Sequence, residues 1–381
     1  MNIGIVTPRY PPNGVGGGEV SAQLLAQMLD SRDEIDQVTV YTFDGKGQTH
    51  QNNVLVRRYR SPSIFSFEVL NTYAYFKLKS KLVQDEIDVI HSYNMRLHPI
   101  VGHLSETLGI PSVATLNSYA FIPFSKLDIP VNNLLDWYKR ISWTTSGRIL
   151  RNRMCHVDVF IAISSAVGEI YRRAIFSDQR IEVVPNMCEP HLFDTGSSSD
   201  SVKIPENRMF DILYVGSLRE TKGVEYLIRA ITYLPDEYQV TIAGGGSNES
   251  ELRQLADQFG VADRVTFMGH VPHDRIEELY AEADLFVHPG IWPEPFGRTI
   301  LEAMQFGLPV VATNIGGPAE VIPQDRCLCT PRDPEDLAET IRDIQPDTDR
   351  LGRENRRYVH KNYSPSVVAP QIIEVYKSIC K

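Results

Sequence analysis

The sequence predicts an α/β fold built from two doubly wound parallel sheets, and three observations predict it. The chain has 381 residues, more than one hydrophobic core usually serves and enough for two. Short apolar, β-branched segments alternate with helical patterns through its first half. After a stretch rich in Ser, Gly, Asp and Pro, the same alternation begins again.

Strands are expected at Ile3–Thr7, Val38–Phe43, Val54–Tyr59, Val89–His91, Ser112–Leu116, Val159–Ile163 and Ile181–Val184. Helices are expected between most of them, at Glu19–Leu29, Phe65–Leu82, Leu97–Leu108, Asn132–Met154 and Ser165–Ile175. Apolar strands joined by helices require crossover connections, which make the sheet parallel. The second series comprises Asp211–Val215, Gln239–Ala243, Arg264–Phe267, Leu285–Val287 and Val310–Thr313. These patterns divide the chain into a first domain, 1–186, a linker, 187–208, and a second domain, 209–363, followed by a terminal helix, 364–381.

Bulk properties narrow the function. No apolar run approaches the length of a membrane span. The opening MNIGIVTPRY reads as a first strand rather than a signal peptide, because it lacks a basic region and a long apolar core. The five cysteines, at 155, 188, 327, 329 and 380, include only one close pair, so they read as reduced thiols of a cytoplasmic protein. A net charge of −10 argues against nucleic acid as a partner. That charge is uneven: 19 Lys and Arg face 17 Asp and Glu through residue 185, and 19 face 31 after it, so the acidity belongs to the second half.

The most informative stretch runs from His288 to Thr313. Asp284–His288 has the look of a buried strand, a Gly/Pro-rich loop carrying Glu294 follows, and Gly297 opens a helix through Arg298, Thr299 and Glu302. Gly307 and Pro309 stop that helix before another strand, Val310–Thr313. A helix N-terminus at the carboxyl edge of a parallel sheet binds anions, because backbone N–H groups and the helix dipole point at the ligand. Two glutamates beside such a site would repel a phosphate. They must instead accept hydrogen bonds from neutral groups, and sugar hydroxyls are the obvious donors.

Glu294-Pro-Phe296-Gly297-x4-Glu302-Ala-Met, continuing into Gly307-x-Pro-Val and Gly316-Gly317-x-x-Glu320, resembles the Glu-x7-Glu signature of family-four retaining glycosyltransferases. The resemblance implies the GT-B fold, two Rossmann-like doubly wound domains facing across a cleft, with the terminal helix crossing back onto the first. Further residues carry it. Gly16-Gly17-Gly18, after the first strand, is similar to the family's Gly-Gly loop against the donor diphosphate. Val215-Gly216-Ser217-Leu218-Arg219-Glu-Thr-Lys222-Gly223 resembles the Gly-Arg-Leu-x3-Lys-Gly element, which implies that Lys222 meets the diphosphate. The family's arginine is Ser217 here, and Arg219 stands two positions later. Gly244-Gly245-Gly246 resembles a turn near the nucleotide base. Pro185-Asn186 resembles the family's Pro-Asn-Gly, with Met187 replacing glycine. Asn117 occupies a place where many relatives have histidine facing the donor sugar; an amide can donate a hydrogen bond there but cannot hold a proton. His91 and His98 read as structural.

The resemblance therefore implies a retaining transfer of a hexose-type sugar from a UDP- or GDP-linked donor to a hydroxyl acceptor. Glu294, Asn117 and Lys222 would be catalytic. Gly16, Gly17, Gly18, Arg219, Lys222, Gly244, Gly245, Glu294, Phe296, Gly297, Arg298, Thr299 and Glu302 would bind the donor. No metal or cofactor is expected, and the single Asp-x-Asp, Asp347-Thr-Asp349, reads as a helix start. A non-catalytic nucleotide-sugar binder and a nucleotide-sugar epimerase are the alternatives. The acceptor is expected to be a glycan or a lipid-linked sugar. Residues 121–153 set Lys126, Lys139, Arg140, Arg148, Arg151 and Arg153 among Phe121, Phe124, Trp137, Tyr138 and Trp143, a pattern that suits an anionic membrane surface. Phe65–Leu82, with Lys77, Lys79 and Lys81, adds a second aromatic and basic segment.

Overall fold

A computed structural model describes residues 1–13, 16–62, 67–122, 127, 141, 145–192 and 209–380. The chain splits into two compact units, Met1–Met187 with Pro365–Lys381, and Cys188–Ser364.

The first unit holds an eight-stranded sheet. In chain order its strands are β1 (Asn2–Thr7), β2 (Gln37–Thr42), β3 (Gly47–Gln51), β4 (Val54–Arg58), β5 (Val89–Ser92), β6 (Ser112–Leu116), β7 (Val159–Ala162) and β8 (Ile181–Val183). The spatial order is β3-β4-β2-β1-β5-β6-β7-β8, and only β3 runs antiparallel to its neighbour. The central strands are buried along nearly their whole length, as expected of a sheet covered by helices on both faces. Those helices are α1 (Gly17–Asp30), α2 (Phe67–Gln84), α3 (His98–Leu108), α4 (Ser146–Met154) and α5 (Ser165–Ala174). The helix expected over 132–154 is described only from Ser146, and the rest of that stretch lies largely outside the described residues.

The terminal segment Pro365–Ile379 also belongs to this unit and joins its core. Val368, Ala369, Ile372, Ile373 and Tyr376 pack with Ile3, Ile5, Leu25 and Leu29. The Tyr376 hydroxyl lies 2.6 Å from His91 Nδ1, whose Nε2 is 2.7 Å from the Thr115 hydroxyl. His98 Nδ1 lies 2.7 Å from the Ser92 hydroxyl, and its Nε2 2.9 Å from the Thr115 carbonyl oxygen. Burial holds both rings neutral, pushing their pKa values down to about 3. The two histidines thus tie neighbouring strands together.

In the second unit six strands pair in parallel: β9 (Phe210–Val215), β10 (Tyr238–Ala243), β11 (Val265–Gly269), β12 (Leu285–His288), β13 (Val310–Thr313) and β14 (Leu328–Cys329). Their order is β11-β10-β9-β12-β13-β14. Successive strands after β9 move one way and those after β12 the other, so the loops leaving these two strands diverge and open a crevice at the carboxyl edge. The helices are α6 (Val224–Ile231), α7 (Glu249–Gln258), α8 (His273–Glu282), α9 (Arg298–Gln305), α10 (Gly316–Val321), α11 (Pro334–Ile344) and α12 (Thr348–Tyr363), with α13 (Pro365–Ile379) returning to the first unit. Asp347 precedes α12 and pairs with Arg326 and Arg350 at 2.5 and 2.9 Å. Among the described residues no helix is long and apolar enough to cross a membrane.

Of the expected linker, 187–208, Met187 belongs to the first unit and Cys188–Leu192 to the second. Cys188 donates its N–H to Tyr363, and Glu189 is buried against α9.

Candidate active site

Three loops meet at the carboxyl edge of the second sheet. The first follows β9 and ends in the short turn Glu220–Lys222, the second spans Pro289 to Gly297 after β12, and the third follows β13. They are locked together through backbone. Ile291 donates to the Thr221 carbonyl at 3.1 Å, and a Cβ at Gly223 would lie 2.0 Å from the Pro289 carbonyl oxygen. Gly317 donates to the Glu294 carbonyl at 2.8 Å. Gly316 has φ +67 and touches the Pro293 and Glu294 backbone so closely that a Cβ would sit 2.7 Å from Pro293. Any side chain there would push the Glu294 loop away. The paired glycines of the sequence motif therefore seat the loop that carries the glutamate.

Within this frame Lys222 and Glu294 meet, although 72 residues separate them in sequence. The Lys222 ammonium donates to both carboxylate oxygens of Glu294, at 2.7 and 2.8 Å. His288, the last residue of β12, places Nε2 3.0 Å from Glu294 Oε2. Burial alone would raise the Glu294 carboxyl, but Lys222 and then His288 overcome it and hold the group ionised far below the usual carboxylate range. The sequence assigns Lys222 and Glu294 to different parts of a ligand; without a ligand they neutralise each other. His288 was not among the sequence candidates. Its position at a strand end directly before the Glu294 loop is the signal that could have found it.

Gly297 precedes the adjoining helix α9 in a left-handed conformation (φ 93) and with no side-chain cap, which leaves the start of the helix suited to an anion. Arg298 and Thr299 occupy its first turn. Arg298 forms an ion pair with Glu189, both largely buried, and its Nε lies 3.6 Å from Glu302 Oε1. Glu302 Oε2 also accepts the Tyr280 hydroxyl at 3.0 Å. Burial, with Glu302 beside it, pushes the Tyr280 phenol well up, so it stays a donor. Glu189 is another residue that sequence reasoning missed, since nothing local links it to a helix 109 residues away. Phe296, expected to bind the donor, is 4% exposed and packs edge-on against Tyr363, so its ring serves the core.

Gly244 and Gly245 also serve packing first. A Cβ on Gly244 would lie 1.8 Å from the Gly216 carbonyl oxygen, and the Gly245 carbonyl accepts the Leu218 N–H at 3.0 Å. These contacts fix the turn that presents Arg219, whose exposed side chain has no ion-pair partner among the described residues.

Gly16, Gly17, Gly18 and Asn117 belong to the first unit. Gly17 and Gly18 start α1, and Gly16 precedes it in extended conformation. A Cβ on Gly18 would come 3.7 Å from Asn117 Nδ2. That amide nitrogen donates to the Tyr93 carbonyl at 2.7 Å, and Asn117 Oδ1 is buried without a partner among the described residues. One of the two amide N–H groups is thus engaged internally, and the expected donor role rests on the second.

The chain matches the family described as Glycosyltransferase Family 4 over residues 15–191 and that described as Glycosyl transferases group 1 over residues 198–363. A relative in Methanocaldococcus jannaschii, an uncharacterised glycosyltransferase, is 28% identical over 404 aligned positions, which cover 99% of this chain and 98% of the relative. Glycogen synthase of Mycobacterium tuberculosis is 33% identical over 303 positions, 76% of this chain and 68% of its own. The phosphatidylinositol N-acetylglucosaminyltransferase gpi3 subunit of Schizosaccharomyces pombe is 25% identical over 331 positions, 84% of this chain and 66% of its own. Among solved structures, sucrose-phosphate synthase from Thermosynechococcus elongatus superposes with a TM-score of 0.79 at 21% identity, covering 99% of this chain and 98% of the other. The Anabaena protein HepE in complex with UDP-glucose gives 0.71 at 20% identity, covering 99% and 100%. These two likenesses are of fold.

Proposed function

The chain belongs to the GT-B glycosyltransferases, and from that premise we propose that it transfers a hexose-type sugar from a nucleoside diphosphate to a hydroxyl acceptor with retention of configuration. The observation that carries this reading is the Lys222–Glu294–His288 cluster beside the uncapped start of α9. A diphosphate leaving group gains negative charge as the glycosidic bond breaks, and a lysine ammonium with a helix N-terminus stabilises that charge. On donor binding the diphosphate competes with Glu294 for Lys222, and the released carboxylate accepts hydrogen bonds from the sugar hydroxyls. The acceptor oxygen bonds to the anomeric carbon on the face that the phosphate leaves. Its proton passes to the departing phosphate oxygen, so charge and atoms balance. The HepE complex with UDP-glucose supports a nucleotide-sugar donor and makes UDP the first nucleotide to test.

Glu302 is assigned to the ribose hydroxyls. Each charged hydrogen bond contributes about 1.5–3 kcal/mol, so Glu302→Ala should weaken UDP binding at least about tenfold. Calorimetry tests this, with Tyr280→Phe as the control that removes one internal partner of Glu302 and keeps the carboxylate; unchanged affinity in Glu302→Ala would remove the assignment.

The same reading makes the transfer metal-independent. Lys222 and the start of α9 supply the positive charge that a divalent ion supplies elsewhere. Turnover should therefore persist in excess EDTA. Complete loss that magnesium or manganese restores would contradict this.

We also propose that the first unit works at an anionic membrane surface. Most of residues 121–153 lie outside the described residues, so the support comes from α2 and α4. Val69, Phe76 and Val83, spaced by seven on α2, are 36, 74 and 58% exposed, and Lys77 and Lys79 stand over the rings of Tyr73 and Tyr75. On α4, Ile149 is 60% exposed between Arg148 and Arg151. Basic residues near such a surface contribute about 1 kcal/mol each. Co-sedimentation with phosphatidylglycerol vesicles should be strong at low salt and fall as salt rises. Protein left in the supernatant at low salt would overturn the surface role.

A further inference from the structure

The first unit contains a cavity of about 820 Å³ that none of the residues assigned above explains. It opens at the carboxyl edge of the sheet, where β1 turns into Arg9, β2 into Phe43 and Asp44, β4 into Arg60, and β5 into Asn94 and Arg96. The chain passes from β1 outward to β2 on one side and later to β5 on the other, so this edge is the topological switch point of the sheet, where open α/β folds bind ligands.

Charge distinguishes the cavity from the rest of the protein. Arg9, Arg60 and Arg96 line it, all three are exposed, and none has a carboxylate partner among the described residues. Two acidic side chains share the wall. Asp44 is already neutralised: one oxygen accepts Arg58 at 2.7 Å and the other the Tyr10 N–H at 2.7 Å. Only Glu19 remains to oppose three guanidinium groups. Three arginines without a carboxylate partner around one concavity concentrate positive charge in a half of the chain that is otherwise nearly balanced. Like charges gathered this way repel one another, a cost that an anion entering between them removes. The planar donor fork of arginine matches the oxygens of a phosphate. Phe43 and Leu70, at 2 and 5% exposure, supply an apolar wall for the carbon part of such a ligand.

We propose that this cavity is a phosphate-ester site, and that the acceptor hydroxyl is presented on a molecule whose phosphate is held by Arg9, Arg60 and Arg96. Calling the ligand an acceptor rests on the glycosyl-transfer reading above; the phosphate site itself does not. The phosphate can belong to a small soluble ester or to a lipid headgroup, and both carry the same recognisable chemistry.

The test is calorimetry on the full chain in saturating UDP, which occupies the diphosphate position of the second unit. The soluble probe is glycerol 3-phosphate against glycerol. The lipid probe is monomeric dihexanoyl-phosphatidylinositol against dihexanoylglycerol, short enough to avoid adsorption to a bilayer. At least one phosphate ester should bind while its neutral counterpart does not, and the one that binds identifies the source. Arg9→Gln, Arg60→Gln and Arg96→Gln should each weaken that binding about tenfold, and the triple variant should abolish it. Because the three side chains are exposed, the variants should fold, and unchanged UDP affinity demonstrates that they have. The proposal is overturned if neither ester binds, if the neutral probes bind equally well, or if the triple variant binds as tightly as the wild type. Failure of UDP to bind at all would instead strike the donor reading and leave the phosphate titration to stand by itself.

Discussion

Glu294→Gln should lower turnover about a hundredfold while leaving affinity for free UDP within about twofold. The substitution keeps the shape and removes the charge. In the unliganded chain the carboxylate is occupied by Lys222 and His288, so its hydrogen bonds to sugar hydroxyls form only as the diphosphate draws Lys222 away. An interaction made in that later state changes kcat more than ground-state binding. An amide of the same size leaves Lys222 uncommitted and available to the diphosphate, which is why nucleotide affinity should hold. Steady-state kinetics beside UDP calorimetry separates the two quantities. Equal losses in both would place Glu294 on the nucleotide and not the sugar.

Lys222→Ala should do more, and should do it through stability as well as catalysis. Lys222 and Glu294 keep only 20 and 17% of their side-chain surface exposed, so removing the ammonium strands a largely buried carboxylate. The expected cost is about 2 kcal/mol, below the roughly 3–5 kcal/mol of fully buried pairs because some solvent reaches both groups, and it lowers the Tm of the second unit by about 4–8 °C. Affinity for UDP should fall at least about tenfold, since the point charge on the diphosphate is lost. The double variant Lys222→Ala, Glu294→Gln separates the two roles. It contains no stranded charge and should recover stability to within about 1 kcal/mol of the wild type, yet its turnover should stay as low as that of Lys222→Ala. Recovery of turnover together with stability would mean that the pair is merely structural.

What the sequence could reveal follows from where the forces are local. Strands such as Ile3–Thr7 and Val310–Thr313 are buried on both faces, and continuous apolar runs between Gly and Pro announce that directly. Strand β3, Gly47–Gln51, is polar and exposed at all but its last residue; it exists because its backbone pairs antiparallel with β4, and no periodicity announces it. Two-residue β14 is equally silent. At the site the strand–loop–helix around Glu294 and Glu302 was legible because the glycines that seat it lie in the same string. The pairings were not. Lys222 with Glu294 and Arg298 with Glu189 join residues far apart in the chain, and only the converging loops bring them together. The partner of Asn117 was equally hidden: the Tyr93 carbonyl that accepts from its amide comes from another strand end.

The most direct test of the central claim is to incubate the full chain with a panel of radiolabelled UDP- and GDP-hexoses, without acceptor, and to follow release of free sugar. Glycosyltransferases of this kind hydrolyse their own donor slowly when water replaces the acceptor. The account predicts that one donor is consumed, in the presence of EDTA, and that Glu294→Gln suppresses its consumption. Saturable binding of a nucleotide sugar with no hydrolysis of any donor would contradict it, and would identify the protein as a nucleotide-sugar binder whose Ser217 and Asn117 mark lost catalysis.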